Sequence, residues 1–184
     1  MDRLTALWRD YLDGSDIAFE QLVTDLKDPL IMFINRFTRN LSAAEELAED
    51  SFVELLLHKR FFNFKTSVKT YLFTIGRNKA FNLLKKQKRH PEVDVDDYSA
   101  TVSDGDSLED KVIADEKRRL VHRALERLPD DYFTVLHLIY FEGMSQDEAA
   151  KIMKKNKKQI ANLVFRARAA AKKELEKEGI GYEE

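Results

Sequence analysis

Apolar residues recur at helical spacing along most of the chain: Leu4, Leu7, Trp8, Tyr11 and Leu12, then Phe19, Leu22, Val23 and Leu26, then Leu30, Phe33, Ile34 and Phe37. No alternating, β-branched run of comparable length occurs, so the pattern predicts an all-α protein. Ser42-Ala-Ala-Glu45 has the form of a capping box, in which a hydroxyl and a carboxylate take free backbone N–H groups. It opens a helix with Leu47, Ala48, Phe52, Leu55 and Leu56 inward, ending near His58. The run from Phe61 to Ser67 breaks the period as a loop. A helix from about Lys69 to Lys88 follows, with Leu72, Ile75, Ala80, Leu83 and Leu84 buried and Phe73 and Phe81 as core rings.

From Pro91 to Ser107 periodicity disappears while Asp, Ser and Gly accumulate, which predicts a flexible acidic linker, longer than an ordinary loop. The expected organisation is therefore two small helical domains, 1–90 and 108–184, joined by 91–107. In the second, Val112, Val121, Leu125 and Leu128 share a face, Pro129 starts a helix, and Tyr132 to Phe141 is strongly apolar. Gly143 suits the left-handed residue that ends a helix, and Ser145-Gln-Asp-Glu148 and Asn156-Lys-Lys-Gln159 are two further capping boxes.

Composition narrows the class. The chain has 184 residues, 31 Lys and Arg against 33 Asp and Glu, and no cysteine. That excludes disulfides, thiolate metal sites and a cysteine nucleophile, and suits a reducing cytosol. The longest apolar run, Pro29 to Ile34, is far too short to span a bilayer, and the charged start (Asp2, Arg3, Arg9, Asp10) lacks a signal-peptide pattern, so the expectation is a soluble, cytoplasmic protein with no membrane insertion.

The net charge of −2 conceals blocks of opposite sign. Residues 1–57 carry 12 acids and 5 bases, whereas residues 58–90 carry 10 bases and no acid. Residues 91–116 hold 10 acids and one base, and residues 151–173 hold nine bases and no acid. Any single block can be a solvated helix face, but two acid-free blocks around an acidic connector point to two contacts with one polyanion. The interleaved aromatics and caps favour nucleic acid over a membrane surface.

A short helix, Gln146 to Met153, a break at Lys154 to Asn156, and a longer helix from Lys157 to about Glu176 have helix-turn-helix spacing. In the longer helix Ile160, Val164, Ala167 and Ala171 share a packing face. Lys157, Lys158, Gln159, Asn162 and Arg166 are then the candidates near its N-terminus for phosphates and base edges: Gln and Asn suit adenine, Arg and Lys guanine. Spacing alone leaves open an ordinary basic helix in a bundle. In the first acid-free block, Phe61, Phe62 and Phe64 lie on a loop beside basic side chains, as a single-strand site requires, and Phe62, Asn63, Thr66 and Ser67 could form a pocket for a base turned out of the duplex.

In this order and spacing, several motifs make the chain resemble a bacterial RNA polymerase sigma factor of the extracytoplasmic-function (ECF) type, in the sigma-70 family. These are the acid-rich helix Glu45-Glu-Leu-Ala-Glu-Asp-Ser-Phe52 and the run Tyr71-Leu-Phe-Thr-Ile-Gly-Arg-Asn78, close to a Trp-Leu-Tyr-Arg-Ile-Ala-Arg-Asn signature. The others are Leu128-Pro129, the Glu142-Gly-Met-Ser145 turn and the Arg166-Ala-Arg168 ending. The resemblance covers nearly the whole chain. It implies a non-enzymatic initiation factor with no cofactor and no metal, whose region-two-like domain binds core polymerase and the minus-ten element and whose region-four-like domain reads the minus-thirty-five duplex.

By position, the resemblance places Glu46, Glu49, Asp50 and Phe52 on the clamp helices of the β′ subunit, with the second domain on the β flap. It gives the melted minus-ten strand to Phe61, Phe62, Asn63, Lys65, Thr66, Ser67, Tyr71, Arg77, Asn78 and Asn82. The acidic linker is expected to thread toward the polymerase active-site cleft. The resemblance further implies an anti-sigma factor as partner, holding a monomer, in some cases at the membrane. The chain departs from the family at Tyr71, which replaces Trp, and in the helix-turn-helix turn, where Lys154 and Asn156 replace the common Gly and Pro and Asn156 suits a left-handed backbone. Ala161 and Leu163 stand where many relatives place basic readers, so the promoter sequence does not carry over.

A helix-turn-helix regulator acting without polymerase is the alternative; it leaves the acid-free loop and the acidic helix unemployed. An enzyme fits worst, because His58, His90, His122 and His137 are scattered and no nucleophile or phosphate-loop motif occurs.

Overall fold

Residues 2–89 and 120–179 are described by the computed structural model, and every regular element among them is helical. The chain divides into two compact units, one on either side of 90–119. The linker expected over 91–107 and the start of the second domain expected from 108 lie outside the described residues.

The first unit contains α1 (Arg3–Leu12), α2 (Asp16–Thr38), α3 (Leu41–Leu57), a 3-10 turn (Lys59–Phe61) and α4 (Val68–Arg89). Each of the first three helices starts at a side-chain cap: Asp2, Ser15 and Asn40 accept the N–H groups of Thr5, Ala18 and Ala43. The expected Ser42–Glu45 box is therefore displaced. Asn40 Oδ1 takes the Ala43 N–H at 2.9 Å, which leaves Ser42 inside the first turn rather than before it. The second and third apolar groups of the sequence fuse into the single helix α2, which runs through Pro29. Proline there forgoes one backbone hydrogen bond, a cost the helix meets by burying Leu22, Leu26, Leu30, Phe33 and Ile34.

These side chains form one core with Trp8, Leu55, Leu72 and Phe73. At roughly 1.5–3 kcal/mol for each large apolar side chain, that burial dominates the unit's stability. Gly76 lets α4 approach α2 closely: a Cβ there would sit 2.9 Å from Leu30 Cδ1 and 3.0 Å from Ile34 Cδ1. The start of α4 is tied to α1 through one hydroxyl, because Thr5 Oγ1 donates to Asp2 Oδ2 and accepts the Val68 N–H at 3.1 Å. Toward the far end of α4, Leu83 and Leu84 are only half-buried and Phe81 is exposed, against expectation, since these positions lie past the densest packing of the core.

The second unit has a helical stretch over 120–126 (α5), then α6 (Asp130–Leu136), a wide π turn (His137–Phe141), α7 (Gln146–Met153) and α8 (Lys157–Lys177). Pro129 precedes α6, as a residue with no N–H to satisfy should. In the π turn the His137 ring lies between Phe133 and Phe141, 5.6 Å from each and nearly parallel, with Nε2 3.2 Å from the half-buried Glu142 carboxylate. Gly143 then takes a φ of +65° and releases the chain into α7. Leu125, Leu128, Val135, Leu138, Ile152, Ile160, Val164 and Leu175 close the core.

Candidate nucleic-acid interface

The helix-turn-helix is built by two reciprocal caps. Ser145 and Glu148 exchange hydrogen bonds at the start of α7, and Asn156 and Gln159 do so at the start of α8. Between them Lys154, not Asn156, is the left-handed residue, at φ 53°; Asn156 is extended, as an N-cap must be for its side chain to reach back. Ile160, Val164, Ala167 and Ala171 are buried as expected, which fixes the outward face of α8.

That outward face carries Lys158, Asn162 and Arg166, all exposed. Asn162 and Arg166 line a hollow of about 220 Å³ together with Lys155, Gln159 and Leu163. Two expected contacts are already engaged. Gln159 Oε1 accepts the Asn156 N–H at 2.8 Å, so its amide cannot offer adenine both an acceptor and a donor without opening the cap. Lys157 Nζ pairs with Asp147 at 3.0 Å, joining the first turns of α7 and α8. Sequence reasoning missed Phe165, which is 78% exposed between Asn162 and Arg166. Its helical spacing of seven from Lys158 was the available signal.

On the first unit the acid-free segment divides into buried and open parts. Phe62, expected at the strand site, is 7% exposed: its ring packs against Trp8, Phe64 and Tyr71 at 6.3, 4.9 and 5.5 Å. It pins the loop to the core rather than lining a base pocket. Phe64 holds a φ of 56°, an unusual cost for an aromatic residue, with the Arg9 guanidinium 5.0 Å from its ring centre. Asn63 Oδ1 takes the Lys65 N–H, and Ser67 Oγ takes the Thr70 N–H as the start of α4. Thr66 Oγ1 is buried with no hydrogen-bond partner among the described residues. Phe61, Asn63, Lys65 and Asn82 are exposed, while Tyr71, Arg77 and Asn78 are half-buried; the α4 periodicity puts Tyr71, Asn78 and Asn82 on one face and Arg77 about a third of a turn around from it.

The acidic face of α3 is also sorted by burial. Glu46, Glu49 and Asp50 are exposed, with Glu49 3.2 Å from Lys27, whereas Phe52 is buried against the Phe19 ring at 6.5 Å and is no surface contact. The stripe instead continues through Val53 and Leu57, the latter 74% exposed. These two were missed because their apolar character reads as core by composition; their angular offset from Phe52 and Leu55 was the signal.

Among the described residues no group of His, Asp and Glu is arranged to hold a metal, and no helix is long and apolar enough to cross a membrane. Comparison with known proteins agrees with this geometry. The sigma-70 region 2 family matches residues 22–90 and the sigma-70 region 4 family matches residues 118–170. RNA polymerase sigma-H factor of Pseudomonas aeruginosa is 30% identical over 171 residues, 89% of this chain and 89% of that protein. The ECF RNA polymerase sigma factor SigW of Bacillus subtilis is 26% identical over 170 residues, 88% of this chain and 91% of that one. The fold is that of the sigma factor RpoE of Bartonella quintana, solved in complex with the anti-sigma factor NepR: TM-score 0.67 and 23% identity, over 86% of this chain and 96% of that one. A capped helix-turn-helix with a cationic outer face in one unit and an acid-free helix in the other accord with these matches: the chain belongs to the sigma-70 family of transcription initiation factors, in its extracytoplasmic-function branch.

Proposed function

We propose that this chain binds core RNA polymerase and directs it to promoters, holding the melted minus-ten strand on the first unit and reading the minus-thirty-five duplex with α8. The observation that carries this reading is that each unit presents one helix, α4 or α8, whose outward face is cationic and lies in a stretch without acids, 58–90 and 151–173. One such face suits a duplex reader, and the second, bordered by the exposed Phe61 and the strained loop at Phe64, suits a single strand.

The residues proposed for the minus-ten strand are Phe61, Asn63, Lys65, Thr66, Tyr71, Arg77, Asn78 and Asn82. Those proposed for the minus-thirty-five element are Lys158, Asn162, Phe165 and Arg166, with Phe165 set to meet a thymine methyl. For polymerase docking we substitute Val53 and Leu57 for the buried Phe52. Together with Glu46, Glu49 and Asp50 they form an acidic-to-apolar stripe along one side of α3, suited to a basic, partly apolar coiled coil. A cytoplasmic monomer with two protein partners in turn, polymerase and an anti-sigma protein, completes the reading; the fold neighbour RpoE was captured with a partner of that second class.

The test is a binding titration with cognate core polymerase. Val53→Glu with Leu57→Glu should weaken core binding by at least about tenfold while duplex binding by the second unit stays as it was. No measurable association of the unaltered chain with core would refute the proposal.

A further inference from the structure

α1 grips the segment that leads into α4 at four points, with Tyr11 at the segment's start and Thr5 at its end. The Lys59 ammonium lies 5.5 Å from the Tyr11 ring centre, Trp8 packs edge-on against Phe62, the Arg9 guanidinium lies over Phe64, and Thr5 Oγ1 accepts the Val68 N–H. Thr5 and Trp8 are buried there, but Arg9 is exposed and the Phe64 ring beneath it is 38% exposed. Phe64 holds its left-handed backbone at the centre of a turn that Asn63 Oδ1 closes by accepting the Lys65 N–H at 3.1 Å. Such a backbone is costly for an aromatic residue unless neighbours hold it, and here the ring turns to Phe62 and Arg9 while Asn63 and Lys65 on either side stay exposed.

Charge singles out Arg9 as well. Residues 1–57 contain five bases. Arg3 and Lys27 are paired with Asp25 and Glu49, Arg36 is buried, and Arg39 ends α2. Arg9 is the fifth. Asp10 and Asp13 follow it in sequence, yet among the described residues no carboxylate lies within ion-pair distance of its guanidinium.

We infer that Arg9 is a further contact of the strand site, bonding a backbone phosphate of the single strand that lies over the loop, with the Phe64 ring steadying it from below. This rests on the proposed reading that the loop holds the melted minus-ten strand. A guanidinium lying on a ring keeps its full charge and can bond through its N–H edge, and a phosphate offers that edge two oxygens at once. An arginine already seated on a ring also loses less side-chain freedom when it binds. Phosphates recur at every nucleotide, so the contact adds affinity and register without adding sequence preference. It extends the cationic surface of 58–90 by one residue supplied from the acid-rich part of the chain.

The test uses the whole chain bound to core polymerase and short fork-junction DNA whose single-strand phosphates are replaced one at a time by neutral methylphosphonate. The unaltered chain should lose about tenfold in affinity at one phosphate. Arg9→Ala should be weaker by a similar factor on unmodified DNA and lose nothing further at that phosphate. Its plot of log affinity against log salt should be shallower by about 0.7, the share of one single-strand phosphate. Arg9→Lys should restore both the slope and the phosphate, and Arg9→Met, which keeps a chain over Phe64 without the charge, should restore neither. Trp8, the one tryptophan, packs on Phe62 and reports on the loop in the free variants, where its emission should stay as in the unaltered chain. A normal salt slope in Arg9→Met, or equal phosphate sensitivity of the unaltered chain and Arg9→Ala at every position, would overturn the contact. So would a loss of affinity accompanied by shifted Trp8 emission in Arg9→Met, which assigns the loss to the shape of the loop. If the unaltered chain with core binds the fork no better than the duplex, it is the strand reading that fails, and the Arg9 contact with it.

Discussion

Asn156 and Gln159 hold each other across the first turn of α8: the Asn156 N–H donates to Gln159 Oε1 at 2.8 Å and the Gln159 N–H donates to Asn156 Oδ1 at 2.9 Å. Gln159 is thereby committed to the helix start rather than to a base. Gln159→Ala should lower stability of the second unit by about 0.5–1 kcal/mol and leave base preference in the minus-thirty-five duplex unchanged. Thermal melts paired with a binding selection check both halves; a changed preference would return Gln159 to the base-reading set.

On the proposed reading, Asn162, Phe165 and Arg166 are the side chains left to read sequence. Asn162→Ala or Arg166→Ala should shift preference at one base pair each by about 1–3 kcal/mol. Phe165 calls for a different probe, because the contact proposed for it is with a methyl group. Replacing single thymines by uracil removes only that methyl, and the unaltered chain should lose affinity at one position where Phe165→Ala does not. Equal sensitivity of both proteins would remove Phe165 from the interface.

Asp2 caps α1, and its carboxyl sits below the usual aspartate range. Burial pushes the other way, but the Thr5 hydroxyl, the Thr5 N–H and neighbouring backbone N–H groups bond to the charged form and outweigh it. With the folded value depressed, the stabilisation is present above the ordinary aspartate value and is lost as pH falls through the folded one. Asp2→Ala should therefore cost about 1 kcal/mol at neutral pH, a gap that narrows in acid. Denaturant titrations at a series of pH values test this, and a gap constant down to acid unfolding would contradict it.

Gly76 sits where the family run has alanine, under Leu30 and Ile34, both wholly buried. Alanine would gain about 1 kcal/mol of helix propensity but must displace two packed methyl groups, at about 1–3 kcal/mol. The crowding wins, and Gly76→Ala should destabilise the first unit by about 1 kcal/mol. The chain's one tryptophan, Trp8, is buried in that unit, so its fluorescence reports this unfolding directly.

Periodicity carried most of the fold, because long helices repeat their apolar positions many times and a capping box is a local pattern. Both boxes of the helix-turn-helix were legible for that reason, down to the ends of α7 and α8. What failed was competition between equivalent local signals. Asn40 and Ser42 are both good caps two residues apart, and only the packed start of α3 selects Asn40. Side-chain destinations at the site failed more often, since a Phe in a basic segment serves core or surface according to which neighbours arrive. Phe62 meets Trp8 from another helix and goes inward, while Phe81 meets Arg77 and stays out. Gln159 shows a third limit: a side chain with two uses takes the one its own backbone offers first.

The central claim is that this protein gives core polymerase a promoter it would not otherwise find. Its direct measurement is transcription by cognate core with and without the purified chain, on fragments of the source genome, with transcript starts mapped by sequencing. The account predicts discrete starts, present only with the chain, sharing two spaced upstream elements, with usage that shifts in Arg77→Ala and Arg166→Ala at the minus-ten and minus-thirty-five elements respectively. An active core that gains no starts, while the chain still binds a specific duplex, would contradict it and leave a regulator that works without polymerase.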